Sequence, residues 1–303
     1  RKQLFLQSTT MAFMRLPWAC IRLREKSEKE CSTIALLICE VRIKASWMKD
    51  FINERWRAIL ACNGLLDFDA LWNLDVPWFE EPNHRRGGWS GVSRCELNLP
   101  EGGRSVVFIK RQENHGTPSL RHPLRGIPTF YREFKCIMNY RNKGVPALEP
   151  VYFAVRQVGK DQRAILATEE LAGFISLEEQ IQLWLKAGSA PVMLRRRVLS
   201  AVAHLVRNMH SHGIRHGCFY TKHVFIRVNI DGTVEARVID LEKSHVIPLR
   251  TLCALRDLSA LSRFSTLWSR ADKMHFLKAY LAIPRLTVYA KWLGRTVAAR
   301  LEK

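Results

Sequence analysis

Between Val192 and Val238 the hydrophobic period of this chain changes from helical to alternating, and the change is made across a loop dense in titratable side chains. Leu194, Val198, Ala201, Val202, Leu205 and Met209 recur at helical spacing, which predicts a helix over about Val192 to His212 with one buried face. Gly213 follows as a stop signal, because glycine takes the left-handed conformation that closes a helix at little cost. After "RHGCFYTKHVF", Arg215 to Phe225, the residues Val224, Ile226 and Val228 alternate, and so do Val234, Ala236 and Val238 on the far side of Asp231-Gly232. Alternation on both sides of a turn signal predicts a β-hairpin.

The turn fixes what that hairpin brings together. Asp-Gly suits a two-residue type I′ turn. In that register Val224 opposes Ile239, and His223 opposes Asp240 with Cβ atoms roughly 4.5–5.5 Å apart. An imidazole and a carboxylate so placed suit two arrangements: a divalent cation held by both, or a plain His–Asp hydrogen bond.

Upstream, the chain divides by texture. Residues 1–47 show no sustained period and are read as a disordered or extraneous N-terminal extension. From Met48 to Leu74 the pattern is helical, with a break at Asn63-Gly64. "DVPWFEEPNHRRGGWSGVS", Asp75 to Ser93, is turn-rich. Short strands are expected over Val92 to Leu97 and Val106 to Lys110, then a polar loop, a helix over about Thr129 to Asn142, and a hairpin from Val151 to Thr168. Ser176 to Glu179 has the S-x-x-E spacing of a capping box and opens a helix to about Lys186. Residues 48–170 form a strand-rich half with a preceding helical segment, and residues 171–303 a helical half.

Two charged residues stand out in the strand-rich half. Lys110 closes the strand "VVFIK", where a lysine is ordinarily a solvated charge. Glu133 falls among Phe130, Phe134 and Ile137 on one helix face. A buried carboxylate needs a partner, so Glu133 either reaches solvent at the stripe's edge or pairs with Lys110. Ahead of both lies "GGWSGVS", Gly87 to Ser93, whose glycines let backbone N–H groups approach phosphate oxygens.

The bulk properties narrow the setting. The chain has 303 residues, 47% hydrophobic and 25% charged, an ordinary globular balance. No apolar run approaches the roughly 18 residues of a membrane span, and Met11 to Ile21 is interrupted by Arg15 and lacks a cleavage site, so a cytoplasmic protein is expected. The eight cysteines include no CxxC pair, which favours reduced, mostly buried thiols over zinc or a disulfide framework. A net charge of +20 favours anionic partners. Charge alone does not choose among nucleic acid, an acidic membrane face and phosphorylated substrates; no RNP-type aromatic motif or zinc-finger spacing is present, and nothing in the sequence calls for a helix-turn-helix.

Taken in order, glycine loop, strand lysine, helix glutamate, polar loop and late aspartate, the pieces resemble a protein kinase-like fold. The kinase pattern H-R-D-x-x-x-x-N maps onto His216 to His223, and "VIDLE" stands where D-F-G would. "HG-x-x-Y-x-x-H" followed by "IDL" is similar to the lipopolysaccharide kinases, which phosphorylate heptose or Kdo sugars of the bacterial lipopolysaccharide core. "WFEEPNHRRGGWSGVSR", "FIKRQENH" and "PLRGIPTFYREF" look like the InaA branch of that family.

The resemblance implies an α+β fold with a strand-rich N-lobe, carrying the glycine loop and one key helix, over a helical C-lobe. It implies ATP and Mg2+ as cofactors. Gly88 and Gly91 would contact nucleotide phosphates, Lys110 would bind the α/β-phosphates and be held by Glu133, and Glu169 would lie near the adenine at the hinge. His223 and Asp240 would hold the metal, and His216 would be structural. The implied substrate is a lipopolysaccharide core sugar or related anionic glycolipid, met in peripheral contact with the inner membrane. Cys218 occupies the position of the aspartate that accepts the substrate hydroxyl proton, and a thiol with an ordinary pKa of about 8.5 is a poor substitute. The alternative is therefore a pseudokinase that binds nucleotide in a regulatory or stress-response role.

Overall fold

The structure is a computed structural model that describes residues 50–300 apart from 86, 120, 121, 189, 190 and 264–267. The segment expected as an N-terminal extension, 1–47, lies outside the described residues.

The stretch from Met48 to Leu74 is more divided than its helical pattern suggests. A short strand, β1 (Phe51–Ile52), precedes α1 (Glu54–Cys62) and α2 (Phe68–Trp72). Asn53 ends the strand and starts the helix: its Oδ1 accepts the Arg55 N–H at 3.2 Å while its Nδ2 donates to the Pro150 carbonyl at 2.9 Å. The break expected at Asn63-Gly64 is there, with Gly64 at φ +69°.

The turn-rich segment is also more ordered than expected. It forms β2 (Trp78–Arg85), which pairs antiparallel with β3 (Gly88–Asn98). The register of β2 slips between Trp78 and Glu80 and again between Glu80 and Asn83. Pro82 lies in the second irregularity, on a strand at the sheet edge and largely exposed, the setting in which proline and polar residues are tolerated. β4 (Arg104–Glu113) follows. The expected polar loop holds a small ribbon, β5 (Gly116–Ser119) with β6 (His122–Pro128), that leads into α3 (Thr129–Asn142). β7 (Pro150–Val158) and β8 (Asp161–Glu169) complete a six-stranded antiparallel sheet of order β1-β7-β8-β4-β3-β2.

Strand alternation assigns the two faces of β4. Val107 and Ile109 point into a core with Trp56, Leu60, Phe68 and Leu71 of α1 and α2, while Phe108 and Lys110 face the opposite way, toward the second lobe. α3 covers that second face through Phe130, Ile137 and Tyr140.

The second lobe is mostly helical. β9 (Ile175–Ser176) runs into α4 (Leu177–Lys186), capped by the Ser176 hydroxyl, which accepts the Glu179 N–H at 3.0 Å. α5 (Val192–Ser211) buries Val198, Val202, Leu205 and Met209, the stripe seen in the sequence, and ends at Gly213 with φ +66°. After β10 (Ile214–Arg215) and a 3₁₀ turn at Thr221–His223 comes the hairpin of β11 (Val224–Val228) and β12 (Val234–Val238). A second 3₁₀ turn (Leu241–Lys243), β13 (His245–Val246) and the helices α6 (Arg250–Arg263), α7 (Arg270–Leu281) and α8 (Val288–Ala299) complete the lobe.

The hairpin register differs from the expected one by a single residue. Val224 pairs with Val238, and Val228 with Val234. The connection is a three-residue loop, Ile230-Asp231-Gly232, in which Gly232 at φ +76° donates to the Asn229 carbonyl at 2.9 Å and Asn229 donates to Thr233 at 2.9 Å. The Asp231 carboxylate accepts the Thr233 N–H and hydroxyl at 2.8 and 2.7 Å, stabilising the longer loop over the two-residue turn. His223 is consequently opposed by Ile239, whose N–H donates to the His223 carbonyl at 3.0 Å.

Candidate active site

A cleft of about 790 Å³ separates the two lobes. Val92, Phe108 and Lys110 line it from the sheet, Glu169 to Phe174 from the connecting segment, and His223 and Asp240 from the helical lobe. Phe79 of β2 meets Phe108 edge-on with ring centroids 5.2 Å apart and completes an apolar roof.

Lys110 and Glu133 meet at 2.6 Å across the strand–helix gap, with side chains 19% and 5% exposed. Of the two fates open to Glu133, the structure takes pairing. Burial alone would push the Lys110 ammonium down; the charge of Glu133 and its hydrogen bond, then the charges of Asp240 and Glu80, hold it above its ordinary value. A fixed cation therefore looks into the cleft.

His223 and Asp240 also come together, at 3.4 Å between Nε2 and Oδ2. The register error should have turned their side chains to opposite faces. Asp240 leaves the strand in the left-handed region, at φ 58° and ψ 60°, and this breaks the alternation. A non-glycine residue there is uncommon and typical of sites where side-chain aim matters. The tautomer of His223 follows from its other contact: Nδ1 lies 2.8 Å from the Cys218 carbonyl, which only accepts, so Nδ1 carries the proton. In that tautomer Nε2 turns a lone pair toward a carboxylate oxygen. Two acceptors at that distance need a proton or a cation, so the pair fits a divalent ion as well as it fits an imidazolium. Among the described residues no group of three or more His, Cys, Asp or Glu could hold a metal. A two-ligand site suits Mg2+, which keeps waters and is completed by substrate phosphates.

The loop between α5 and β11 hangs from a buried carboxylate absent from the sequence-based site, Asp257 on α6. Its Oδ2 accepts the His216 N–H at 2.8 Å and faces His210 Nε2 at 3.2 Å, and its Oδ1 accepts the Gly217 N–H at 3.2 Å. Burial opposes that charge, but the hydrogen bond from the His210 side chain and that from the His216 backbone hold the carboxyl below the ordinary range. "RDLSALSRF" is the only trace in the sequence, an aspartate interrupting an apolar helix face. His216, placed as structural, is wholly buried: Nε2 donates to the Ile239 carbonyl at 3.0 Å and Nδ1 accepts the Cys218 N–H at 3.3 Å. Desolvation pushes its pKa down, so the ring is neutral. Gly217, at φ +86°, packs against the Lys243 backbone so closely that a Cβ would stand 2.7 Å from its carbonyl oxygen.

Cys218 is buried below that turn. Lys243 is held above its ordinary value first by its electrostatic interaction with Cys218 and further by a hydrogen bond to it, so an ammonium and this thiol share one corner of the site.

Other expected site residues lie farther out. Glu169 ends β8 in the segment joining the lobes, lines the cleft and forms an ion pair with Arg55 of α1. Gly88 and Gly91 do not themselves line the cleft, although Val92, next to Gly91, does. A Cβ on Gly88 would meet the Glu113 carbonyl oxygen at 2.0 Å, and one on Gly91 would meet the Trp78 ring at 2.7 Å, so both glycines admit close packing within the sheet. Gly87, at φ +78°, makes the tip of the β2–β3 hairpin.

Similarity to known proteins bears on this site. The profile of a family described as lipopolysaccharide kinase (Kdo/WaaP) matches residues 69–280. Protein InaA of Escherichia coli (strain K12) is 33% identical over 216 residues, covering 71% of this chain and 94% of InaA. The lipopolysaccharide core heptose(I) kinase WaaP of Escherichia coli is 32% identical over 174 residues, and the chain spans 64% of that enzyme's length. A solved structure described as WaaP in complex with acyl carrier protein superposes with a TM-score of 0.59 over 84% of this chain and all of the other, at 22% identity, which establishes the same kinase-like α+β fold. Among the described residues no helix is long and apolar enough to cross a membrane.

Proposed function

The chain belongs to the lipopolysaccharide kinase (Kdo/WaaP) family, and on that premise we propose that it is an ATP-dependent phosphotransferase whose acceptor is a hydroxyl of a lipopolysaccharide core sugar or related anionic glycolipid, met at the cytoplasmic face of the inner membrane. One observation carries the reading: the Lys110–Glu133 ion pair and the His223–Asp240 pair face one cleft from its two sides. Lys110 binds α/β-phosphate oxygens, and Glu133 keeps its side chain from swinging away. The apolar roof of Val92 and Phe108 takes the base, Glu169 lies at its edge, and the hairpin carrying Gly88 and Gly91 covers the phosphates. His223 and Asp240 would hold Mg2+, which supplies charge neutralisation across the transferring phosphates.

Cys218 stands where the acceptor hydroxyl proton leaves. The Lys243 ammonium lies beside it, and a loose transition state makes modest demands on a base. The same residue favours a second reading, a pseudokinase that binds nucleotide without transferring phosphate. Transfer of labelled γ-phosphate from ATP to core lipopolysaccharide separates them. The proposal expects incorporation by the wild type and its loss in Asp240→Ala. An inert wild type that gains activity as Cys218→Asp would establish the pseudokinase instead, and Asp240→Ala as active as the wild type would remove the metal assignment.

A further inference from the structure

From Lys243 to Arg300 the chain carries eleven Lys and Arg residues and only two acids, Asp257 and Asp272. Both acids are buried in ion pairs or hydrogen bonds, so no carboxylate of this region reaches the surface. The same surface exposes large apolar side chains. α8 exposes Val288 at 86% and Trp292 at 45%, with Lys291 and Arg295 beside them on one helical face. Tyr289 packs on Trp292 with ring centroids 5.7 Å apart, and its hydroxyl lies 3.3 Å from the Thr251 hydroxyl, which places the first turns of α6 and α8 side by side. Leu249, Leu252 and Arg256 carry the exposed strip onto α6.

We infer that this face, built from α8 and the start of α6, docks the protein on an anionic phospholipid surface. Trp and Tyr are the side chains that settle at a membrane–water interface. Exposed Val and Leu supply the apolar contact, and the unopposed Lys and Arg supply the attraction to acidic headgroups. A soluble acidic partner would satisfy the charge but leave Val288 and Leu249 unexplained. The position fits the site. β13, which leads into Leu249, pairs with β10 immediately before the Cys218 loop, and the Ile247 N–H donates to the Gly213 carbonyl at 2.7 Å. The docking face is therefore joined through β13 to the strand that precedes the Cys218 loop. Choosing lipid as the occupant rests on the proposed glycolipid acceptor.

Co-sedimentation of the full chain with vesicles of phosphatidylethanolamine and phosphatidylglycerol tests the inference, with phosphatidylcholine vesicles as reference. Binding to the anionic vesicles alone is expected, weakening with salt. Each basic side chain near such a surface is worth roughly fivefold in partitioning, so Lys291→Glu with Arg295→Glu should lower binding by about 25-fold or more. Val288→Ser with Trp292→Ala should lower it without changing net charge, while Arg196→Glu with Arg197→Glu on α5 should leave most of it. Equal losses from the α5 and α8 variants, or none from either α8 pair, would overturn the inference. So would α8 variants that lose binding to polyglutamate while keeping the vesicles, since the face would then bind protein. Stabilisation by Mg·ATP should survive both α8 pairs. A chain that docks through α8 and yet binds no nucleotide would defeat the kinase reading and leave the docking face standing.

Discussion

At the scale of single residues, the site is a set of charges each of which needs another to be tolerable. Removing Glu133 leaves the Lys110 ammonium buried without its partner. Glu133→Ala should cost about 3 kcal/mol of stability, read as a lower urea midpoint, and Lys110→Met in the same chain should recover most of that loss. If the double variant is as unstable as Glu133→Ala, the pair is not the reason Glu133 is buried. Arg111 makes a similar argument on the far face of β4. Its guanidinium donates to the Trp72 and Leu74 carbonyls, both at 2.9 Å, and to the Ser93 hydroxyl at 3.0 Å, and lies over the Trp78 ring at 4.4 Å. Arg111→Met keeps the stem and loses these bonds, an expected cost of about 2–3 kcal/mol; an unchanged urea midpoint would contradict it.

At the scale of elements, the turn below the cleft is organised from α6. Asp257→Asn keeps the side chain's shape but gives up its charge and turns one acceptor into a donor facing N–H groups. The expected outcome is a fall in kcat with little change in KM for ATP, because Asp257 positions the Cys218 turn and touches no cleft wall. The helices and their ends were legible in the sequence because their signals are local: the 129–142 and 192–211 segments follow from periodicity, and Ser176 and Gly213 from capping chemistry. The edge strand β2 was not, since an exposed, proline-bearing strand has the composition of a turn. The hairpin illustrates both outcomes. His223 and Asp240 do meet, but Asp-Gly predicts a two-residue turn where the chain forms a three-residue loop, and the left-handed backbone at Asp240 restores what the slip would have lost. Asp257 went unseen because its partners, His210 and the 216–217 backbone, are brought to it only by the packing of α6 on α5 and β10.

At the scale of the whole molecule, the buried titratable groups make stability depend on pH. His216 is neutral with its pKa pushed below the ordinary value. Below about pH 6.5 the unfolded chain therefore binds a proton that the folded chain refuses, and stability falls as pH falls, by at most about 1.4 kcal/mol per pH unit for this group. Asp257, held below the carboxylate range, stabilises above its unfolded value and loses that contribution only in stronger acid, as pH falls through its folded value. Urea midpoints should decline between about pH 7.5 and 5.5; a flat profile would contradict a buried neutral His216.

In the proposed reading, Lys110, Glu133, His223 and Asp240 enclose one nucleotide site. Calorimetric titration of Mg·ATP into the full chain tests it most directly. Saturable binding by the wild type is expected, with Lys110→Ala and Asp240→Ala each weakening it by tenfold or more, about 1.4 kcal/mol. Absence of binding at millimolar nucleotide, or equal affinity in the wild type and Lys110→Ala, would contradict it.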